Sequence, residues 1–391
     1  MRALVVDDIR PMNDLLKKML RQTHYFDTVD SAYDGEDAWE KILLAFGSKA
    51  PYDMVFCDVK MEGLDGLGLL KRRRNHPNFR FLPFLMISAS SEEANIVSAL
   101  GEWEANDFLV KPFSLEVLAQ RVKAILKRVQ SPEEILFRQA EQLKSMGAAR
   151  DALELIEKAE AESRLSLAKW INAKGECLAQ SGDMEGAVAE FKKSMEIGKI
   201  YITAYKNFAA GQQKLGNYDE AVEALKYAES ISPKDNDRTM LLGSLLLKTG
   251  HKEQAKKYLE SAIKRSDENE RANALRQVAE MYLEAGMYDE AEIKFVASLE
   301  FSPEDVEIYN RIGLTLRKQK KYDEALQCYQ QILKIRPDHP GIYYNMGILF
   351  MARGDYGTAQ KHFEKALSKD PQLEAAKAML RKIEEAKRDK V

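Results

Sequence analysis

Cysteine is scarce in this sequence: Cys57, Cys177 and Cys328 stand far apart among 391 residues, and none belongs to a Cys-x-x-Cys pair. That spacing excludes a disulfide framework and a structural zinc site, and makes a reducing cytoplasm the expected compartment. Histidine is nearly as rare, with five residues and no His-x-x-x-His or similar spacing, so a metalloenzyme centre is not expected. No sign of charge dominates, since 59 basic side chains face 62 acidic ones and the net charge is −3. Such a balance gives no general attraction to a phosphate backbone or an anionic lipid surface, so neither nucleic acid nor membrane is an expected partner. There is also no charged-then-apolar leader, and no apolar run reaches the roughly 18 residues of a membrane span. The chain does have 45% apolar and 31% charged residues, enough for buried cores under a charged surface. Its length exceeds what one core usually organises, so two or more units are expected.

Two halves differ in period. From residue 1 to about 129, short apolar runs at Ala3–Val6, Met54–Cys57, Phe84–Ser88 and Phe108–Val110, with a weaker one at Asp27–Ala32, alternate with helical patterns. This rhythm predicts an α/β fold with a five-stranded parallel sheet covered on both faces. In such sheets ligands sit beyond the carboxyl ends of the strands. The residues standing there are Asp7 and Asp8, Asp58, Ser88 and Lys111, from four separate strands. The basic run Lys71-Arg72-Arg73-Arg74 ends a predicted helix, where cations suit the dipole, and reads as a solvated face.

From about residue 132 the chain becomes self-similar and all-α. Alanines recur in one register at Ala152, Ala187, Ala221, Ala255, Ala291, Ala325 and Ala359. Twelve residues before each stands Ala140, Gly175, Ala209, Gly243, Ala279, Gly313 or Gly347, and four after each stands Ile156, Phe191, Leu225, Leu259, Phe295, Tyr329 or Phe363. Prolines close repeats at Pro233, Pro303, Pro337 and Pro371, with Arg164 at the first such position; Gly216, Gly286 and Gly354 mark turns, with Lys320 in the sixth. Between the halves, Ser131-Pro132-Glu133-Glu134 has the form of a helix start: Ser as N-cap, then Pro. The expected organisation is an N-terminal unit at 1–129, a junction at 130–135, seven repeats over 133–371 and a polar capping helix at 372–391.

The period and the small–large–proline pattern resemble the tetratricopeptide repeat family, whose helical pairs stack into a solenoid and bind proteins. In that family the first helix of each pair lines the groove. Its inward positions here would be Lys169, Asn172 and Glu176, Lys206 and Gln213, Arg276 and Glu280, Asn310 and Arg317, then Tyr344, Ile348 and Met351. The last three would give part of the groove an apolar lining suited to a helix or an extended segment.

The strand-end residues of the first half resemble the receiver domains of bacterial two-component response regulators, which are doubly wound and flavodoxin-like. The resemblance implies that Asp58 is the phosphorylated nucleophile, taking its phosphoryl group from a sensor histidine kinase or a phosphotransfer protein. It implies Mg²⁺ held by Asp8, Asp58 and the backbone carbonyl of Lys60, with Asp7 acting through water. Lys111 and Ser88 would hold phosphoryl oxygens, Phe108 would be the aromatic switch, and Lys111-Pro112 would be a cis peptide. Lys60 would also stand at the mouth of the site and shield the acyl phosphate. The loop departs from the pattern at Glu62, where Pro is usual, while Asp65-Gly66 matches. The chain is thus expected to be a cytoplasmic phosphoprotein, no enzyme beyond its own phosphorylation and dephosphorylation, signalling through its repeats to a protein or peptide. The alternative is a constitutive scaffold whose receiver only docks a kinase or drains phosphate.

Overall fold

The computed structural model describes residues 1–89, 96, 98–163, 168–233 and 235–388, so Arg164 and the last three residues of the predicted cap lie outside it. The chain divides into two compact units, Met1–Arg238 and Thr239–Val391.

The first unit opens with β1 (Arg2–Val6), α1 (Arg10–Gln22), β2 (Thr28–Ala32), α2 (Gly35–Gly47), β3 (Met54–Asp58), α3 (Gly66–Asn75) and β4 (Phe84–Ser88). A π-helical turn at Ser98–Glu102, β5 (Asp107–Val110) and α4 (Leu115–Val129) complete the α/β part. The strands form one parallel sheet in the order β2-β1-β3-β4-β5. Ala3–Val6 and Met54–Cys57 are wholly buried because alternate side chains feed two cores, one on each face. The expected doubly wound fold is present. The order reverses direction between β1 and β3, which opens a crevice at their carboxyl ends.

At the junction, the Ser131 hydroxyl accepts the Glu134 N–H and Pro132 occupies the first turn of α5 (Pro132–Ser145). The same unit continues through α6 (Ala149–Ser163), α7 (Ala168–Gln180), α8 (Met184–Ile197), α9 (Ile202–Leu215) and α10 (Tyr218–Ile231), and α11 (Asn236–Lys248) begins at its end. The second unit holds the remaining pairs from Lys252–Arg265 to Tyr356–Lys369 and closes on a helix at Glu374–Arg388. Ala376 and Ile383 of that last helix are buried against Phe363 and Ala366.

Close approach within each pair explains the repeat pattern. All seven register alanines are 0% exposed. A Cβ added to Gly175 would lie 2.6 Å from the Phe191 ring, and one added to Gly243 would lie 2.5 Å from Leu259. Gly313 stands in the same relation to Tyr329 and Gly347 to Phe363, at 2.6 Å each. The small residue of one helix is therefore the seat of the large residue of its mate. The intervening turns need left-handed backbone: Gly216, Gly286 and Gly354 have φ of 83°, 72° and 83°, and Lys320 is held at 64°. Two substitutions in one repeat should move stability in opposite directions. Gly313→Val should cost about 1–3 kcal/mol through overpacking, whereas Lys320→Gly should stabilise by about 0.5–1 kcal/mol by relieving the turn. Urea unfolding reads both, and equal midpoints for the three proteins would refute the register.

Candidate functional site

The crevice is built from strand ends. Asp7 follows β1, Asp58 ends β3, Ser88 ends β4 and Lys111 follows β5. The Lys111 ammonium donates to Asp7 Oδ2 at 2.9 Å and to Asp58 Oδ1 at 2.5 Å, so one cation joins two acids across the reversal of strand order. Asp7 is 1% exposed and its Oδ1 accepts the Ile9 N–H, while Asp58 Oδ2 accepts the Lys60 N–H. Asp8 and Lys60 face solvent. Ser88 is buried at 2%, its carbonyl accepts the Lys111 N–H, and the Lys111–Pro112 peptide is cis. Gly66 is required beside Asp58, since a Cβ there would lie 2.0 Å from the Asp58 carbonyl oxygen.

Electrostatics show how tightly the charges are held. Burial pushes the Asp58 carboxyl above its ordinary range, outweighing the hydrogen bond and charge of Lys111. Burial works against the Lys111 ammonium, but its bonds to Asp58 and Asp7 leave its pKa raised. Among the described residues no three His, Cys, Asp or Glu side chains form a ready metal cluster. The donors near the crevice are nonetheless oxygens: three carboxylates with one lysine leave a formal −2, and a hard divalent cation suits such a set.

Beside Phe108 stands a second group of residues, of which Glu102, Trp103, Glu104 and Arg238 were not singled out in the sequence. Phe108 on β5 is only 8% exposed and packs in a core with Trp103, Ala99 and Ala105. The turn and loop before β5 carry Glu102, Trp103 and Glu104 onto the first helices of the repeats. The Glu102 carboxylate forms an ion pair with Arg238, and the two side chains are 1% and 0% exposed. Glu102 Oε2 also accepts the Ser232 hydroxyl at 2.7 Å. Glu104 accepts from Tyr201 Oη at 3.0 Å and pairs with Arg74, whose guanidinium also reaches Thr203. Arg80 pairs with Glu141 of α5 at 2.5 Å, and Lys71 pairs with Asp237 at 3.0 Å. The α/β part and the first repeats thus share one packed unit.

These contacts correct the reading of Lys71–Arg74 as a solvated helix end. Arg73 is 3% exposed, donating to the carbonyls of Arg80, Trp103 and Glu104, and Arg74 is largely covered. Arg72, paired with Glu36, and Lys71, paired with Asp237, keep more than a third of their side chains exposed and match surface cations. The basic run docks because the loop before β5 presents carbonyls and a carboxylate to it.

The groove positions divide in the same way. In the first unit Lys169 pairs with Glu134 over the Phe137 ring, and Asn172 is 2% exposed. Glu176 accepts from Lys144, Asn172 and Asn207, and Lys206 pairs with Asp235 beside Trp103, with Gln213 half-buried. In the second unit Arg276 pairs with Asp305, Glu280 with Arg311, and Asn310 accepts from Asn345. Arg317, Tyr344, Ile348 and Met351 are half-buried, the last three packed around Phe363. No helix of the described residues is long and apolar enough to cross a membrane.

Comparisons with known proteins agree with this division. Residues 3–123 match the response regulator receiver domain, and residues 213–279 and 304–372 match tetratricopeptide repeats. The chemotaxis protein CheY1 of Helicobacter pylori is 31% identical over 126 residues, which are 32% of this chain and 97% of that protein. The transcriptional regulatory protein ResD of Bacillus subtilis is 35% identical over 127 residues, and the chain spans only 48% of its length. A solved structure, the C-terminal part of a TPR repeat-containing protein from Cytophaga hutchinsonii, overlays with a TM-score of 0.50. It is 17% identical and covers 62% of this chain and 99% of its own, a likeness of fold alone. With the acidic strand ends, the lysine that joins them and near-complete coverage of a single-domain relative, this chain belongs to the response regulator receiver family and carries tetratricopeptide repeats behind its receiver.

Proposed function

We propose that the chain is a phosphorylation-controlled interaction regulator. Asp58 takes a phosphoryl group from a histidine kinase or phosphotransfer protein, and the repeats carry the output by binding protein. The observation that supports this most is Lys111 bridging Asp7 and Asp58 at the reversal of strand order, directly after the strand that bears Phe108. In the reaction an Asp58 carboxylate oxygen attacks the phosphorus of a phosphohistidine. An O–P bond forms as the N–P bond breaks, and the imidazole leaves with the electron pair. Lys111 is placed to follow the developing phosphoryl charge, and the Ser88 hydroxyl to donate to a phosphoryl oxygen. Asp8, Asp58 and the Lys60 carbonyl, with Asp7 through water, would hold Mg²⁺, which supplies charge neutralisation of the phosphoryl oxygens when bound. No output catalysis is proposed beyond this self-phosphorylation and its reversal, and a cytoplasmic setting suits the kinase partner.

The output follows from position. Drawing Ser88 toward a phosphoryl group frees space beside β5, and the Phe108 ring is packed with Trp103, whose neighbours Glu102 and Glu104 hold the repeats. Phosphorylation then biases that contact, with a coupling of about 1–3 kcal/mol.

Two measurements test the reading. Acetyl phosphate with Mg²⁺ should label the protein with a base- and hydroxylamine-labile phosphate. Chelation or Asp58→Asn should remove the label, and retention in Asp58→Asn would place the nucleophile elsewhere. In a Trp39→Phe/Trp170→Phe background, beryllofluoride with Mg²⁺ should change Trp103 emission. The change should shrink in Phe108→Ala and vanish in Asp58→Asn; an unchanged spectrum would favour a constitutive scaffold.

A further inference from the structure

The face of the repeats that holds the receiver presents Arg238 and Lys206 to it, each also paired on the repeats, with Glu229 and Asp235 respectively. Arg238 is anchored by its own neighbours: Nη2 donates to the Ser232 carbonyl, Nε reaches Glu229 Oε2 at 3.2 Å, and the backbone N–H donates to Asp235 Oδ1 at 2.9 Å. These contacts involve the repeats alone and fix the guanidinium with Nη1 directed at Glu102. The Ser232 hydroxyl, which also lies 2.6 Å from Ser98 Oγ, adds a second donor to the same carboxylate. Lys206 Nζ lies 5.4 Å from the centre of the Trp103 ring, and Tyr201 donates to Glu104. Each member of the Glu102-Trp103-Glu104 segment thus meets a matching group: arginine, lysine over a ring, and phenol.

The last residue of the segment has an uncommon backbone conformation and borders a cavity. Glu104 has φ of 55°, a left-handed conformation costly for a side chain of this kind, and its carboxylate is pinned by Tyr201 and Arg74. Alongside lies a cavity of about 480 Å³, bordered by Leu100, Glu104, Phe81, Phe137 and Trp170.

We infer that Glu102-Trp103-Glu104 is an intramolecular ligand, and that the surface formed by Tyr201, Lys206, Ser232 and Arg238 docks a protein partner through an acidic–aromatic–acidic segment. The receiver competes with that partner for one site. This rests on the reading that the repeats bind protein, but not on phosphorylation. Exchange of one carboxylate for another keeps the Nη1 contact of Arg238 in both states, while Glu229 holds its Nε throughout. The partner's aromatic residue takes the place of Trp103 against Lys206.

The test uses the full chain and a fluorescein-labelled peptide of the sequence of residues 98–108, read by anisotropy without any phosphoryl donor. The opened variant Glu102→Ala/Trp103→Ala should bind the peptide at least about tenfold tighter than wild type, the equivalent of one charge-assisted contact. Adding Arg238→Met should return the affinity to the wild-type level. Should the opened variant fail to fold, Glu102→Gln, which keeps the volume and removes the charge, should show the same preference over wild type. Equal binding by wild type and variants, no binding at all, or binding indifferent to Arg238→Met would overturn the inference. Failure of Asp58 labelling would sink the proposed phosphorylation and leave this result standing.

Discussion

A guanidinium with no solvent exposure cannot be left without a counter-charge, and that constraint organises the first unit. Arg238 is 0% exposed, and Glu102, its partner from the receiver, is 1%. Glu229 on the repeats is the second counter-charge of this guanidinium, so Arg238 sits between one carboxylate from each part of the unit. Burial pushes the Glu102 carboxyl up, against the pull of Arg238 and with the push of Asp235. Everything else at this face is arranged around it. Ser232 and Ser98 complete the hydrogen bonds, while Lys71, Arg74 and Arg80 form the surrounding ion pairs.

The same strand serves the second constraint, the two acids at the crevice. Glu104 precedes β5, Phe108 lies within it and Lys111 follows it, so the docking segment and the lysine that joins Asp7 to Asp58 are fixed to one short extended stretch. Packed cores respond to a local change by switching between arrangements rather than by bending smoothly. In the proposed function, a change of charge at Asp58 that moves Lys111 or Ser88 reaches Trp103 and Glu102 along this stretch. The route runs through side chains already in one core, Met86, Phe108, Ala99 and Trp103.

Much of this was legible in the sequence, for a physical reason. Strand-end acids stand out because the sheet places function where apolar runs stop, and the repeat register stands out because a 34-residue unit must seat the same large side chain in the same small site each time. Gly313 under Tyr329 and Gly347 under Phe363 are direct consequences of that periodicity. The docking face obeys neither rule. Glu102 and Arg238 are 136 positions apart and each belongs to a different pattern, so no local period links them. Two signals were present: four consecutive cations at the end of α3, more than a helix dipole calls for, and a tryptophan set between two glutamates before β5. Each reads alone as surface, and the meaning lies in their joint contact with the repeats. The groove positions Lys169, Asn172, Glu176 and Lys206 follow the same lesson, since a face filled by the chain itself has the residue types of a face open to a ligand.

The central proposal is that charge at Asp58, by shifting Phe108 and with it Trp103, loosens the hold of the receiver on its own repeats. Hydrogen–deuterium exchange measures this where it happens, by following backbone amides of residues 98–106 and 201–208 with and without beryllofluoride and Mg²⁺. The account predicts faster exchange in both segments in the wild type and no change in Asp58→Asn, while the seat of Tyr329 in the second unit stays protected throughout. Unaltered protection of 98–106 and 201–208 on beryllofluoride binding would contradict it.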